Sequence, residues 1–296
     1  MISPREILKE YWGHSEFRPL QEAIIGAVLA HQNTVALLPT GGGKSICFQV
    51  PALLLKGVCI VISPLTALME DQVTRLQEKG IKAMRIPAKS SQDEMIALFD
   101  NLKFGNFKFL YISPERLQSK FIQQKIKELT VSFVAVDEAH CISEWGHDFR
   151  PSYRKIKTLR ELLPSVHFIA LTATANQKVI DDIFINLDLE APALFKQSFK
   201  REKLAYQIFT TEDKLNRLLQ IFKKTKTSAI VYINSRKRAE DISNFLNANN
   251  LKSSFYHAGV STAVKKITFE NWMTEKTPII VATNAFGMGI DKANVG

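Results

Sequence analysis

The stretch that decides the fold reads TVALL at residues 34–38, PTGGGKS at residues 39–45 and ICFQVPALLL at residues 46–55. The first part is short and apolar, which is typical of a buried strand. The second is a glycine-rich turn, and the third is a longer amphipathic segment that indicates a helix. A strand that passes through such a turn into a helix is a building unit of α/β proteins.

We call residues 39–45 the phosphate loop, because their composition suits a bound phosphate. Glycines 41, 42 and 43 let backbone N–H groups curl around phosphate oxygens, and the following helix directs its positive end at the same anion. Lys44 can reach the β and γ phosphates, and the Ser45 hydroxyl can bind magnesium. The general pattern has glycine where this chain has Leu38. The alternative is a glycine-rich turn that precedes Lys-Ser by chance.

A second candidate motif follows the apolar run 131–136, which ends in Asp137-Glu138-Ala139-His140. A strand that delivers two adjacent carboxylates suits a Mg-ATP site. Asp137 would hold magnesium, and Glu138 would orient and deprotonate the attacking water. The alternative is a helix cap whose carboxylate faces the helix dipole. Both motifs follow strands, and ligands of open α/β sheets bind at the carboxyl ends of strands.

Apolar runs alternate with longer helical segments along the whole chain. The predicted strands are 34–38, 58–63, 109–113, 131–136, 167–171, 228–233, 253–256 and 278–282. The segments 67–79 and 238–247 are helical, and Ser91-Gln92-Asp93-Glu94 resembles a capping box at the start of another helix. This alternation predicts an α/β fold with mainly parallel sheets.

The length of 296 residues suggests about two domains. The charged, weakly periodic stretch 198–213 is the predicted link, which gives domains at residues 1–205 and 206–296. The second is short for a doubly wound sheet, so we expect it to be incomplete, as a piece of a longer protein or as a shortened relative.

Composition limits the classes of partner. Lys plus Arg number 39 against 29 Asp plus Glu, and this basic excess suits a polyanion such as nucleic acid.

The three cysteines form no C-x-x-C pair, so neither a disulfide framework nor a zinc site is expected. The N-terminus does not resemble a signal peptide, and no apolar run reaches membrane-spanning length. We expect the cytoplasm of a bacterium or the nucleus of a eukaryote, and no membrane.

Taken together, these motifs resemble the RecQ family of DNA helicases within helicase superfamily 2, over nearly the whole chain. Thr40-Gly41-Gly42-Gly43-Lys44-Ser45 is a helicase variant of the phosphate loop. Tyr11–His14 and Phe17–Gln21 are similar to the adenine-recognition motif of the family. The resemblance implies that Gln21 binds the adenine edge and that Arg18 and His14 lie near the base or phosphate.

The resemblance also covers motifs that contact DNA. Residues 62–72, 111–116 and 171–175 are similar to the strand-gripping and coupling motifs of the family. Residues 141–153 resemble its aromatic-rich loop, in which Trp145, Phe149 and Arg150 can stack on bases and bind phosphate. We keep the name aromatic-rich loop for residues 141–153. The alternative is an aromatic cluster that packs the loop onto its own domain.

In the second domain the resemblance implies DNA contacts at the ends of two strands. Asn234, Ser235 and Arg236 lie after one strand, and Thr283 lies after another, within a motif that runs to Asp291. Residues 256–259 match a further family signature, although His257 could equally be a core histidine. Two RecA-like domains are therefore expected, the second incomplete.

The resemblance implies a monomeric ATP-dependent helicase that unwinds DNA 3′ to 5′ in repair or recombination. ATP and Mg²⁺ are the expected cofactors, and single-stranded and partially duplex DNA are the expected partners. The family continues with a Q-x-x-G-R-x-G-R motif that these 296 residues do not contain. One alternative is therefore an ATP- and DNA-binding fragment with little turnover. Another is an RNA-directed relative, because related RNA motors share the acidic motif.

Overall fold

The computed structural model describes residues 2–39, 41–87, 89–146, 148–198, 205–225, 227–286, 290, 292 and 294–295. The chain divides into two compact units, Met1–Arg201 and Glu202–Gly296. The predicted limit between residues 205 and 206 adjoins residues 199–204, which lie outside the described ranges. The domain boundary therefore stays a prediction.

Helices and strands alternate along both units. The strands are β1 Thr34–Leu37, β2 Val58–Ile62, β3 Ala83–Arg85, β4 Phe109–Ile112, β5 Val131–Val136, β6 Phe168–Thr172, β7 Ala193–Lys196, β8 Ala229–Tyr232, β9 Ser253–Tyr256 and β10 Ile279–Ala282. The helices are α1 Pro4–Trp12, α2 Gln21–Leu29, α3 Ile46–Leu54, α4 Thr66–Glu78, α5 Gln92–Phe104, α6 Lys120–Lys127, α7 Pro151–Arg154, α8 Thr158–Leu162, α9 Gln177–Asn186, α10 Lys214–Lys224, α11 Arg236–Ala248 and α12 Thr262–Met273.

The first unit is built on a seven-stranded sheet in the order β3-β4-β2-β5-β6-β1-β7, and all of its neighbouring strands are parallel. Alternate residues of each strand enter different cores. Val35 and Leu37 join the core on one face of the sheet, whereas Ala36 and Leu38 join the other. Burial on both faces explains the unbroken apolar runs, because a strand covered on one side only would alternate with polar residues.

The strand order brings the motifs of the first unit to the carboxyl ends of neighbouring central strands. β6 lies between β1 and β5, and β5 lies between β6 and β2. In a parallel sheet all carboxyl ends point the same way, so the phosphate loop after β1 and the carboxylates after β5 flank the end of β6. Ligands of open α/β sheets bind in this crevice.

The second unit has a smaller parallel sheet in the order β8-β10-β9. One of its two cores is aromatic: Trp272 is fully buried and packs edge-on against Phe286 at a ring distance of 5.3 Å. The indole N–H donates to the Ala229 carbonyl, so the buried polar atom is satisfied.

The predicted α/β class with parallel sheets is confirmed. Each predicted strand is present with limits that differ by at most one residue at either end. The capping box before α5 is also present, because Ser91 Oγ accepts from the Glu94 N–H and Glu94 accepts from the Ser91 N–H. Within the described part of the chain, no helix has both the length and the apolar character needed to cross a membrane.

Candidate active site

The phosphate loop adopts a backbone that favours glycine. Gly41 and Gly43 have φ values of 75° and 71°, in the left-handed region. A Cβ on Gly42 would lie 2.8 Å from the Pro39 carbonyl oxygen, and the Gly42 N–H donates to that oxygen. The loop thus turns tightly between β1 and α3. Of the predicted loop residues, Thr40 lies outside the described ranges.

Two predicted adenine-motif residues fasten the phosphate loop from outside. The Gln21 amide donates to the carbonyls of Gly42 and Gly43 at 3.2 and 3.0 Å, and its oxygen accepts from the Arg18 N–H. The Arg18 guanidinium donates to the Gly41 carbonyl. Gln21 is buried, whereas His14 is exposed in the turn after α1. The structure therefore brings Arg18 and Gln21 to the loop, and the adenine roles of all three residues stay predictions.

Asp137 is placed at the carboxyl end of β5, where it is only 6% exposed. Its N–H donates to the Ile62 carbonyl, and its own carbonyl accepts from the buried Tyr153 hydroxyl. Burial and the neighbouring charge of Glu138 raise the pKa of Asp137 to about 7, against the opposing charge of Lys44. Such a carboxylate is poorly solvated, so a bound cation would stabilise its ionised form.

Glu138 has the backbone angles φ 47° and ψ 46°, which are uncommon for a residue with a side chain. Its carboxylate lies 3.3 Å from His140 Nδ1, and the same nitrogen lies 2.9 Å from Thr172 Oγ1 at the end of β6. Thr172 Oγ1 also accepts from the Thr174 N–H. Glu138 is therefore held near the sheet edge, in contact with groups that reach β6.

The residues at this edge fit a magnesium-bound nucleotide. Glycine conformations at 41 and 43 leave room for close backbone approach, and the charge of Lys44 acts on the buried carboxylate of Asp137. Ser45 and Asp137 supply the oxygen ligands that magnesium prefers. Among the described residues, no group of three or more His, Cys, Asp or Glu side chains could itself hold a metal ion.

The raised pKa gives a prediction for Asp137→Asn. The native carboxyl retains its proton up to about pH 7, whereas its ordinary pKa is 3.8. The destabilisation of the folded state is therefore complete above pH 7, and it shrinks as the pH falls from about 7 toward 3.8, where the unfolded chain also takes up the proton. We expect Asp137→Asn to raise the thermal unfolding temperature by about 4 °C at pH 8 and by much less at pH 4. Unfolding scans without magnesium or nucleotide measure this, and an equal gain at both pH values would contradict it. Asp181→Asn, at an exposed position, is the control.

The aromatic-rich loop follows the acidic motif in the chain, and its Trp145 side chain is exposed to solvent. Trp145 is 66% exposed, and the Lys178 ammonium lies over its ring at 4.4 Å. Phe149 is partly buried beneath the Arg154 guanidinium at 5.0 Å. An exposed indole is available for stacking, whereas Phe149 is partly engaged within its own unit.

Arg150 ties the aromatic-rich loop to the segment after β2. Its guanidinium donates to the Pro64 carbonyl at 2.9 Å and binds Asp148 at 3.0 Å. The backbone N–H of Arg150 donates to the Cys141 carbonyl. Residues 62–72 resemble a strand-gripping motif, so Arg150 links two predicted DNA-binding segments. Its predicted phosphate contact is not tested by this geometry and stays a prediction.

The predicted DNA-contacting residues of the second unit also follow the carboxyl ends of neighbouring strands. Asn234 and Arg236 are exposed just after β8, and Ser235 Oγ accepts from the Arg238 N–H at the start of α11. Thr283 follows β10, and its N–H donates to the Tyr256 carbonyl. Because β8 and β10 are parallel neighbours, these residues lie at one end of the sheet. Their role in DNA binding stays a prediction, and Asp291 lies outside the described ranges.

Sequence reasoning missed several residues that hold this site together. His140 and Thr172 lie inside predicted motifs, but the contact between them joins segments that are far apart in sequence. The Tyr153 hydroxyl supports the backbone of Asp137, and Asp182 accepts from Ser143 within the aromatic-rich loop. The packing of β5, β6, α7 and α9 against one another brings these groups together.

Comparison with protein families finds two matches. Residues 18–183 match the DEAD/DEAH box helicase family, and residues 213–296 match the helicase conserved C-terminal domain. The first match spans more than half of the chain and contains the phosphate loop and both carboxylates.

Comparison with individual proteins agrees. The chain is 43% identical to the ATP-dependent DNA helicase RecQ of Bacillus subtilis, over 98% of this chain and 50% of that protein. It is 38% identical to the ATP-dependent DNA helicase RecQ of Haemophilus influenzae, over 98% of this chain and 47% of that protein. The chain thus spans about half the length of these relatives. The DUF1998 helicase MrfA, solved with DNA and AMPPNP, has the same fold with a TM-score of 0.74 at 17% identity, over 98% of this chain and 45% of that one.

Proposed function

Because the chain belongs to the DEAD/DEAH box helicase family, we propose that it is the motor core of an ATP-dependent DNA helicase of the RecQ type. The predicted resemblance to RecQ helicases is confirmed by its curated relatives. One observation carries the proposal: the phosphate loop after β1 and the Asp137–Glu138 pair after β5 flank the end of β6 at one sheet edge.

ATP hydrolysis would use these groups as follows. Backbone N–H groups of the phosphate loop and the Lys44 ammonium bind the phosphates, and Ser45 and Asp137 hold magnesium. Magnesium, when bound, neutralises phosphate charge. Glu138 accepts a proton from a water molecule whose oxygen attacks the γ phosphorus. The bond from that phosphorus to the β–γ bridging oxygen breaks, and ADP and phosphate are released.

The nucleotide base would lie near the segment that fastens the loop. Gln21 is the proposed reader of the adenine edge, with Arg18 and His14 beside the base or phosphate. In the present structure the Gln21 amide binds loop carbonyls, so adenine recognition requires it to exchange or share those bonds. Thr40 completes the proposed nucleotide contacts.

The proposed partner is single-stranded or partially duplex DNA. Trp145, Phe149 and Arg150 would contact it in the first unit, and Asn234, Ser235, Arg236 and Thr283 in the second. The excess of 39 basic over 29 acidic residues supports a polyanionic partner. We further propose a monomer that moves 3′ to 5′ in DNA repair or recombination, in a bacterial cytoplasm or a eukaryotic nucleus.

Matched substrates test this function. ATP hydrolysis is measured alone, with single-stranded DNA and with RNA of the same sequence, and unwinding is measured on duplexes with a 3′ or a 5′ tail. We expect DNA to stimulate hydrolysis strongly and the 3′-tailed duplex to be unwound. A clear preference for RNA would instead support an RNA-directed motor. Tight binding of ATP and DNA with negligible turnover would support a binding fragment.

Trp145→Ala separates DNA contact from nucleotide binding. Base stacking on an aromatic side chain contributes about 1–3 kcal/mol, so we expect DNA affinity to fall by about tenfold or more, with an unchanged KM for ATP without DNA. Titration of DNA in the ATPase assay measures this. Phe104→Ala removes another exposed aromatic ring, from the end of α5, and should leave DNA stimulation intact. Unchanged stimulation in Trp145→Ala would mean that this ring only packs the loop.

A further inference from the structure

The backbone of the turn that carries Trp145 is connected to α9 through the side chain of Ser143. Ser143 Oγ donates to Asp182 Oδ2 at 2.5 Å and accepts from the Trp145 N–H at 3.1 Å. Ser143 itself is fully buried, and its carbonyl accepts from the Gly146 N–H. A single hydroxyl thus joins the Trp145 backbone to a carboxylate on another element.

Little space remains for this turn to adopt another path. A Cβ on Gly146 would lie 2.3 Å from the His140 carbonyl oxygen, so the loop folds back tightly on the residues that follow Glu138. Lys178, one turn of α9 before Asp182, places its ammonium over the Trp145 ring. Both the backbone and the ring of Trp145 are therefore oriented by α9.

The same helix is connected to the catalytic segment. α9 begins at Gln177, close behind Thr172 and Thr174, and its N-cap Asn176 accepts from the Val179 N–H. Thr172 contacts His140, which contacts Glu138. Residues 138–146 are thus attached to residues 172–182 at two points, one beside Glu138 and one beside Trp145.

We propose that Asp182 is a positioning residue that couples the Trp145 turn to Glu138, so that DNA bound at Trp145 promotes ATP hydrolysis. This inference rests on the proposed function. Asp182 does not touch the reacting atoms. It acts through Ser143, because loss of the carboxylate removes the hydrogen bond between the turn and α9 while the contact between His140 and Thr172 remains.

The alternative, a merely stabilising surface contact, makes different predictions. Asp182 is only partly buried, so its truncation opens no core cavity. Its neighbour Asp181 provides a matched control, because it is exposed and its carboxylate accepts from Gln177 on the same helix, at 2.8 Å. Asp182→Ala and Asp181→Ala remove the same charge from adjacent positions, and only the first releases the turn.

Hydrolysis assays form the first half of the test. We expect Asp182→Ala to keep DNA-free ATPase within about twofold and to lose DNA stimulation by about tenfold, which corresponds to about 1.4 kcal/mol of coupling. Asp182→Asn retains an oxygen that accepts from Ser143 and should keep most of the stimulation, as should Asp181→Ala. Wild-type stimulation in Asp182→Ala, or an equal loss in Asp181→Ala, would overturn the proposal.

The second half of the test measures the environment of Trp145 and not activity. It therefore tests the role of Asp182 even if the proposed helicase function is wrong. The chain is labelled with 5-fluorotryptophan, and the ¹⁹F signal of Trp145 is assigned from Trp145→Phe. We expect Asp182→Ala to narrow and shift this signal while the signals of Trp12 and Trp272 stay in place. An unmoved Trp145 signal would show that Asp182 does not position the turn. If the wild-type chain shows no DNA stimulation but the signal moves, the structural coupling stands and the helicase function falls.

Discussion

Glu138→Gln is expected to lower the DNA-stimulated kcat for ATP by at least about 100-fold and to leave ATP binding within about threefold. The amide has nearly the same shape as the carboxylate and can still contact His140, so the surrounding structure is retained. It cannot accept a proton from the attacking water, so the chemical step slows. Steady-state hydrolysis gives kcat, and titration with a fluorescent ATP analogue gives affinity.

A control from the aromatic-rich loop makes this result specific. Glu144 is exposed and pairs with Arg154 at 3.1 Å, so Glu144→Gln removes a nearby charge without touching the proposed proton acceptor. Its kcat should stay near the wild-type value. If Glu138→Gln retained a tenth or more of wild-type turnover, another group would have to accept the proton.

Gly43→Ala is expected to weaken ATP binding by at least about tenfold. The backbone at Gly43 is left-handed, which costs an L-residue about 1–2 kcal/mol. The new Cβ would also lie 2.5 Å from Gln21 Nε2. Gln21 is buried and bonded at both ends of its amide, so it can move only by breaking bonds that fasten the phosphate loop.

Gly80→Ala separates the two causes of this loss. Gly80 has a φ of 75°, and a Cβ there would meet nothing within 4 Å. Gly80→Ala therefore has a similar backbone cost just after the end of α4, but it does not disturb Gln21. We expect both variants to lose thermal stability and only Gly43→Ala to lose ATP affinity. Equal affinities for wild type and Gly43→Ala would argue against close nucleotide approach at this loop.

The long buried strands and the positions of the two candidate motifs, after β1 and after β5, could be predicted from sequence, because both depend on local patterns. The strand before Asp137 is an unbroken apolar run, and the phosphate loop is marked by its glycines. The edge strands β3 and β7 were missed. β3 has three residues, and along β7 the side chains alternate between partly buried and exposed, so neither gives the apolar run of a central strand.

Contacts between distant segments could not be predicted in the same way. Nothing in the local sequence of Asp182 distinguishes it from Asp181, yet only Asp182 accepts from Ser143. Gln21 was predicted to face adenine, and the structure shows it bonded to the loop carbonyls. Helix α3 was expected to be amphipathic, but six consecutive residues from Cys47 to Ala52 are buried, because the sheet and other helices cover it.

The strand order also determines when the nucleotide site can form during synthesis. β1 is made early, but its two neighbours, β6 and β7, begin only at Phe168 and Ala193. Until those residues leave the ribosome, both edges of β1 lack their native hydrogen-bond partners, and open edges invite wrong pairing. ATP bound at the proposed site would therefore stabilise the finished domain by mass action, but it could not guide the early folding of β1.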